Sequence, residues 1–190
     1  MELINRSGKR LYLTNTERKA FLKAAQQAPA NVMTFCIVMH FTGCRISEAL
    51  ALTLENIDFG GQAIVFETLK KRRSGVFRAV PVPKTVLDTL AKVHDLREHR
   101  KTAKRKRLWD WSRMTAYRRI IEIMDKAAIA DGAHKCPKGL RHGFGVHAIN
   151  SGIPLNMLSR WMGHSSLEIT AIYANALGEE QRQIAARMWK

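Results

Sequence analysis

Residues 140–175 read "LRHGFGVHAINSGIPLNMLSRWMGHSSLEITAIYAN". The stretch is a run of helices broken at Ser151-Gly152 and at Gly163. Pro137 suits the first turn of a helix that continues to Ser151-Gly152. Pro154 opens the next helix, and Gly163 has the place of its C′ residue. Ser165-Ser166-Leu167-Glu168 is a capping box, so a third helix should start directly after His164. Tyr173 then falls about two turns into that helix, roughly 10 Å along its axis. Helical side chains tilt toward the N-terminus, which lets the phenol reach back toward His164. On the first helix, Lys138 lies three residues before Arg141 and four before His142, so the three share one face. Leu140, Phe144 and His147 follow the adjacent, more apolar face, and His147 reads as a core residue.

Three other readings of the stretch compete. A zinc site would want histidines at i, i+4. His142 and His147 are five apart, about 140° round a helix, so they do not chelate together, and no metal is expected. "GFGVHA" matches a dinucleotide fingerprint, but that motif needs a preceding strand, and "HKCPKGLRH" is polar and opens a helix. Taken singly, each residue also has a structural use: Arg141 in an ion pair, Tyr173 as a half-buried tyrosine.

Outward from this stretch, the 190 residues suffice for one domain with a core. Lys plus Arg number 32 against 16 Asp plus Glu, a formal charge of +16. That excess points to a polyanion, most commonly nucleic acid, with an anionic membrane surface as rival. Cys36, Cys44 and Cys136 are odd in number and lack CxxC spacing, which argues against a disulfide framework and for a reduced, cytoplasmic setting. "MELINRSGKRLYL" has no signal-peptide core, and no apolar run reaches the roughly 18 residues of a membrane span.

Thr14-Asn15-Thr16-Glu17 is a capping box that starts a helix running to about Ala28. "NVMTFCIVMHF" is apolar nearly all round and predicts a buried helix ending at Gly43. "RISEALALTL" predicts a short amphipathic helix. From Glu55 the texture changes: "NIDF", "QAIVFETL" and "VFRAVPVP" read as short antiparallel strands, the last hairpin tipped by "KKRRSG". Helix returns over about 84–100. Residues 97–107, "REHRKTAKRKR", hold seven Lys or Arg and suit an exposed, phosphate-contacting connection. Ser112 caps a further amphipathic helix. The fold class is therefore mainly α with a small antiparallel sheet.

"GLRHGFG…MGHSSLEITAIYA" resembles the C-terminal half of the tyrosine recombinase (phage integrase) family, whose pattern is (H/K)xxR, then His or Trp, then a nucleophilic Tyr. "FTGCRISEALALTLENIDF" resembles the same family's N-terminal motif. The resemblance runs from about Leu13 to the end. It implies a site-specific recombinase that cuts and rejoins double-stranded DNA through a 3′-phosphotyrosine, with no cofactor. The implied catalytic residues are Arg45, Arg141, Lys138 at the His/Lys position, His164 and the nucleophile Tyr173. Lys70 is the choice for the hairpin lysine, and Lys71 the alternative, because one residue of slip reverses strand faces. Glu48 should hold Arg45 through an i, i+3 pair, and His142 should orient the site. Lys71, Arg72, Arg73, Arg105, Lys106 and Arg107 are the candidate DNA contacts.

Residues 1–190 are expected to form a single catalytic domain, with 1–12 as an extension and 177–190 as a C-terminal helix docking on a neighbouring protomer. A separate N-terminal clamp domain is expected to be missing, as in the short invertases of fimbrial switches, so a helper protein is conceivable. The resemblance also implies a tetramer on two DNA sites and a cytoplasmic, nucleoid-associated location. The alternatives are a DNA-binding regulator with little catalysis and a nicking-closing enzyme of topoisomerase type. Two arginines can meet non-bridging phosphate oxygens bidentately. Neighbouring cations should favour the Tyr173 phenolate over a phenol of ordinary pKa near 10. Lys70 would protonate the leaving 5′ oxygen.

Overall fold

The computed structural model describes residues 2–67, 75–96, 106–175, 182 and 185–189. Helix α1 (Asn15–Ala25) starts at the foreseen capping box: the Thr14 hydroxyl accepts from the Glu17 N–H, and the Glu17 carboxylate accepts from the Thr14 N–H at 2.9 Å. The apolar α2 (Ala30–Thr42) is central, with α1, α3 (Ile46–Leu50), α4 (Lys84–Val93) and α6 (Pro137–Asn150) packed on it. It ends at Gly43, whose φ of +59° belongs to the left-handed region. Buried Arg18 ties three of these helices together by donating to the His40 and Leu140 carbonyls.

Strands β1 (Ile57–Asp58), β2 (Ala63–Glu67) and β3 (Phe77–Pro81) form an antiparallel sheet in sequence order. Ile64 faces Val80 and Phe66 faces Arg78 across β2 and β3. The hairpin tip with Lys70, Lys71, Arg72 and Arg73 lies outside the described residues, as does Arg105. Helix α4 stops at Val93, short of the foreseen Arg100. His94 leaves the helical region, and Asp95 takes a φ of +49° that turns the chain, burying Leu96.

Ser112 caps α5 (Arg113–Lys126) by accepting from the Thr115 N–H. Pro137 occupies the first turn of α6, and Gly163, at φ +62°, ends α7 (Leu155–Met162). The next segment departs from expectation. Ser166, not Ser165, is the N-cap of α8 (Leu167–Ala171), and its side chain caps nothing. The chain then tightens into a 3₁₀ turn over Ile172–Asn175 that carries Tyr173. β-branched Ile169, Thr170 and Ile172 oppose a longer α-helix here.

The main core gathers Phe21, Phe35, Leu87, Trp109 and Ile120. A second cluster joins Leu3, Tyr12, Phe144, Leu158, Met162 and Tyr173. Part of the supposed 1–12 extension is thus core. His147, foreseen in the core, is only half-buried, because that face of α6 turns toward Arg18 and Lys19. No described helix is long and apolar enough to cross a membrane.

The start of α6 is tightly packed: the Leu13 N–H donates to the Gly139 carbonyl at 3.1 Å. A Cβ on Gly139 would overlap the His134 carbonyl oxygen, a backbone atom that cannot rotate away. Gly139→Ala should therefore destabilise the fold by about 3 kcal/mol, lowering the melting temperature by roughly 10 °C for a chain of this size. An unchanged calorimetric melt would show that this packing is not tight.

Candidate active site

Arg45 stands at the N-cap of α3, two residues after the left-handed turn at Gly43. Glu48 holds it twice, accepting from the Arg45 N–H at 2.7 Å and from Nη1 at 2.9 Å. The foreseen i, i+3 pair is present. Glu48 is 3 % exposed. Burial alone would raise its carboxyl, but Arg78 and then Arg45 more than offset this and hold it below the ordinary carboxylate value.

Arg141, buried on α6, joins the ends of two other helices. Its Nη1 donates to the Gly43 carbonyl at 2.7 Å and its Nη2 to the Met162 carbonyl at 2.6 Å. Nη2 also lies 3.1 Å from His164 Nε2. A guanidinium only donates, so Nε2 accepts and the imidazole proton resides on Nδ1. Nδ1 then donates to Thr170 Oγ1, 2.8 Å away.

Tyr173 has no exposed surface. Its ring lies nearly parallel to that of His164, centroids 6.1 Å apart, and against Gly145, where a Cβ would come within 2.6 Å of it. Its hydroxyl is 3.1 Å from His142 Nδ1. The expectation of a favoured phenolate is corrected here. Burial pushes the phenol up to about 12, and the opposing pull of Arg141 and Arg45 is weaker. His142 is also buried; burial first, then Lys138 and Arg141, pull its imidazole down to about 4. Its Nε2 is buried with no hydrogen-bond partner among the described residues.

An open cavity of about 360 Å³ is lined by Arg45, Lys138, Arg141 and His142, together with Arg113 and Tyr117 of α5. Three guanidinium groups and an exposed lysine thus line one space with room for a phosphate. His164 and Tyr173 do not line it; they connect to it through Arg141 and His142. Lys106 and Arg107 are exposed and line a different hollow, beside His94 and Asp95. The sequence reading missed Arg78, Arg113, Tyr117 and Thr170. Only Arg78 carried a signal: the alternation of β3 puts it on the same inward face as Val80.

The buried imidazoles set a pH dependence of folding. Burial, reinforced by Arg18 and His147, pulls His40 down to about 2, and His142 sits near 4, whereas an unfolded imidazole takes its proton near 6.5. Below that pH the unfolded chain binds more protons, so stability falls as pH drops, by about 1.4 kcal/mol per pH unit for each histidine. The lowered carboxyls of Glu17 and Glu48 act in the same direction, since their contribution is lost as acid protonates them. Melts between pH 7.5 and 4.5 should show a steady fall beginning near pH 6.5, and a flat profile would show that these imidazoles are reached by protons in the folded state.

The chain is 26 % identical over 180 residues to tyrosine recombinase XerA of Pyrococcus furiosus, covering 92 % of this chain and 60 % of that protein. It is 31 % identical over 157 residues to tyrosine recombinase XerD of Vibrio vulnificus, covering 77 % and 49 %. It thus spans about half to three-fifths of the length of these relatives. In fold it is similar to the crystal structure of XerA recombinase, with a TM-score of 0.79 at 23 % identity over 94 % of this chain and 65 % of that one. It is also similar to XerH site-specific recombinase bound to difH substrate, with a TM-score of 0.74 at 19 % identity over 98 % and 60 %. The model of the phage integrase family matches residues 11–180, a range that takes in both arginines, His164 and Tyr173, and the chain belongs to that family.

Proposed function

We propose that this protein cuts and rejoins double-stranded DNA at specific sites, with Tyr173 as nucleophile. The observation that carries this reading is the placement of Arg45 and Arg141 on one cavity, with Arg141 bonded to His164 and His164 stacked on Tyr173. In the reaction, the Tyr173 oxygen attacks the scissile phosphorus and the bond from phosphorus to the 5′ oxygen breaks. The 5′ oxygen leaves with a proton, and a 3′-phosphotyrosine remains. Arg45 and Arg141 meet the negative charge that grows on the non-bridging oxygens. Lys138, at the cavity wall, adds charge, and His164 holds the Arg141 guanidinium through Nε2. His142 Nδ1, 3.1 Å from the phenol, holds the hydroxyl in place; pulled down to about 4, it is a weak base, and the proton passes on to solvent. The hairpin lysine, Lys70 or Lys71, supplies the proton to the leaving oxygen in this reading. A second 5′-hydroxyl then reverses the step, so the energy of the broken bond is kept in the phosphotyrosine.

The partner is double-stranded DNA, met by the basic residues around the cavity, by the hairpin and by Lys106 and Arg107. Relatives named as tyrosine recombinases, and XerH bound to its difH substrate, support that class of partner. Strand exchange in pairs makes a tetramer on two sites the working assembly. The exposed Met188, in the 3₁₀ turn Ala186–Trp189, offers apolar surface to a neighbouring protomer. The test is covalent capture. Purified protein is incubated with a pool of nicked duplexes whose flanking arms are randomised, and the adducts are recovered under denaturing conditions. Sequenced adducts that converge on one site support the reading, and a protein that yields none overturns it.

A further inference from the structure

Arg78 is a charged side chain on the inward face of a strand, and its partners lie on separate parts of the site. Its Nη2 donates to Glu48 Oε2 at 2.7 Å, the oxygen that also accepts from the Arg45 N–H. Its Nε donates to the Trp161 carbonyl at 2.8 Å, in the last turn of α7 before Gly163 and His164. The guanidinium rests over the Phe66 ring, its cross-strand neighbour, 5.0 Å from the centroid. It also crowds Gly163, where a Cβ would stand 3.0 Å from Nη1. One side chain therefore links the hairpin strand, the residue that holds Arg45, and the turn that presents His164.

A buried ion pair is weak evidence for stability, because desolvation offsets much of the attraction and an apolar replacement is often neutral. Stability alone thus gives little reason for this arginine. Geometry gives one: a lysine in its place has a single donating head and cannot hold the Glu48 carboxylate and the Trp161 carbonyl in the same planar fork. We propose that Arg78 is a positioning residue for the cleavage step, setting Arg45 and His164 in register with each other and with strand β3. This rests on the recombinase reading above. Arg78 touches no substrate and acts through Glu48 and the α7 end.

The test is single-turnover cleavage of the captured nicked duplex, at saturating DNA, by wild type, Arg78→Met, Arg78→Lys, Arg45→Ala and the double variant Arg78→Met with Arg45→Ala. Methionine keeps the stem over Phe66 and loses the fork. The rate constant for adduct formation should fall about 100-fold in Arg78→Met and about 10-fold in Arg78→Lys, the scale of an ångström-sized misplacement. Duplex affinity should stay within about threefold, since Arg78 is buried and offers little surface to a ligand. In the Arg45→Ala background, Arg78→Met should add clearly less than its full factor of about 100, because part of its effect runs through the carboxylate that holds Arg45 and the rest through the α7 end. A variant with fewer active molecules but an unchanged rate constant has lost only folding, and that result overturns the role. So does a wild-type rate in Arg78→Met, or in Arg78→Lys should the methionine variant not fold, as does full additivity with Arg45→Ala. If wild type itself forms no adduct, the recombinase reading falls first and this role with it.

Discussion

Tyr173→Phe is expected to eliminate the covalent adduct, a loss of about 10⁴-fold or more, while the protein folds and binds duplex as before. Phenylalanine keeps the ring against Gly145 and beside His164, so the second core cluster stays filled. The change removes one hydroxyl contact to His142, worth about 1 kcal/mol. The experiment also decides between two tyrosines. Tyr117 lines the cavity with both arginines and is well exposed, whereas Tyr173 is sealed. On exposure alone Tyr117 is the better nucleophile; motif order and the links through His142 and His164 select Tyr173. Peptide mapping of the wild-type adduct should therefore find DNA on Tyr173. An adduct on Tyr117, or one retained in Tyr173→Phe, would remove the basis of the proposed mechanism.

Arg141→Lys should lower the cleavage rate by about 10³-fold, at the upper end for loss of one well-placed donor to a developing anion. The charge is conserved, so a smaller effect would mean that charge alone suffices. Arginine is needed here because its fork already serves the Gly43 and Met162 carbonyls and His164 Nε2 while facing the cavity. A lysine satisfies one of these and leaves a buried carbonyl without a donor, at a cost of about 1–3 kcal/mol. Rate and melting temperature should fall together in Arg141→Lys, whereas Tyr173→Phe should abolish the reaction and lower the melting temperature by only about 2–4 °C. Cleavage by Arg141→Lys within tenfold of wild type would show that Arg141 is a structural strut.

The helical segments that make the site were legible because their boundaries have local causes. Thr14 and Glu17, Ser112, Pro137, Gly43 and Gly163 each fix a helix end through their own backbone or side-chain chemistry. Arg45, Lys138 and Arg141 were found through motif order, and the fold brings them to one cavity. The α8 segment misled because a capping box was weighed above the β-branched run behind it. The phenol misled for a different reason. Its motif partners Arg45, Arg141 and Lys138 imply cations, but its burial depends on Leu3, Tyr12 and Phe144, which the motif does not mention. Arg113, Tyr117 and Thr170 gave no pattern, since they join the site only through tertiary packing.

On the proposed function, sealing Tyr173 among Leu3, Tyr12, Phe144 and Met162 makes DNA binding and exposure of the phenol linked equilibria. Withdrawing an aromatic ring of this kind from its apolar surroundings takes about 1.5–3 kcal/mol. A cleavable duplex must supply that difference, so its apparent affinity is roughly 10- to 100-fold weaker than its contacts alone would give. The relation is reciprocal: any change that loosens the wall around the ring, even one remote from the phosphate, tightens the grip on DNA by the same factor.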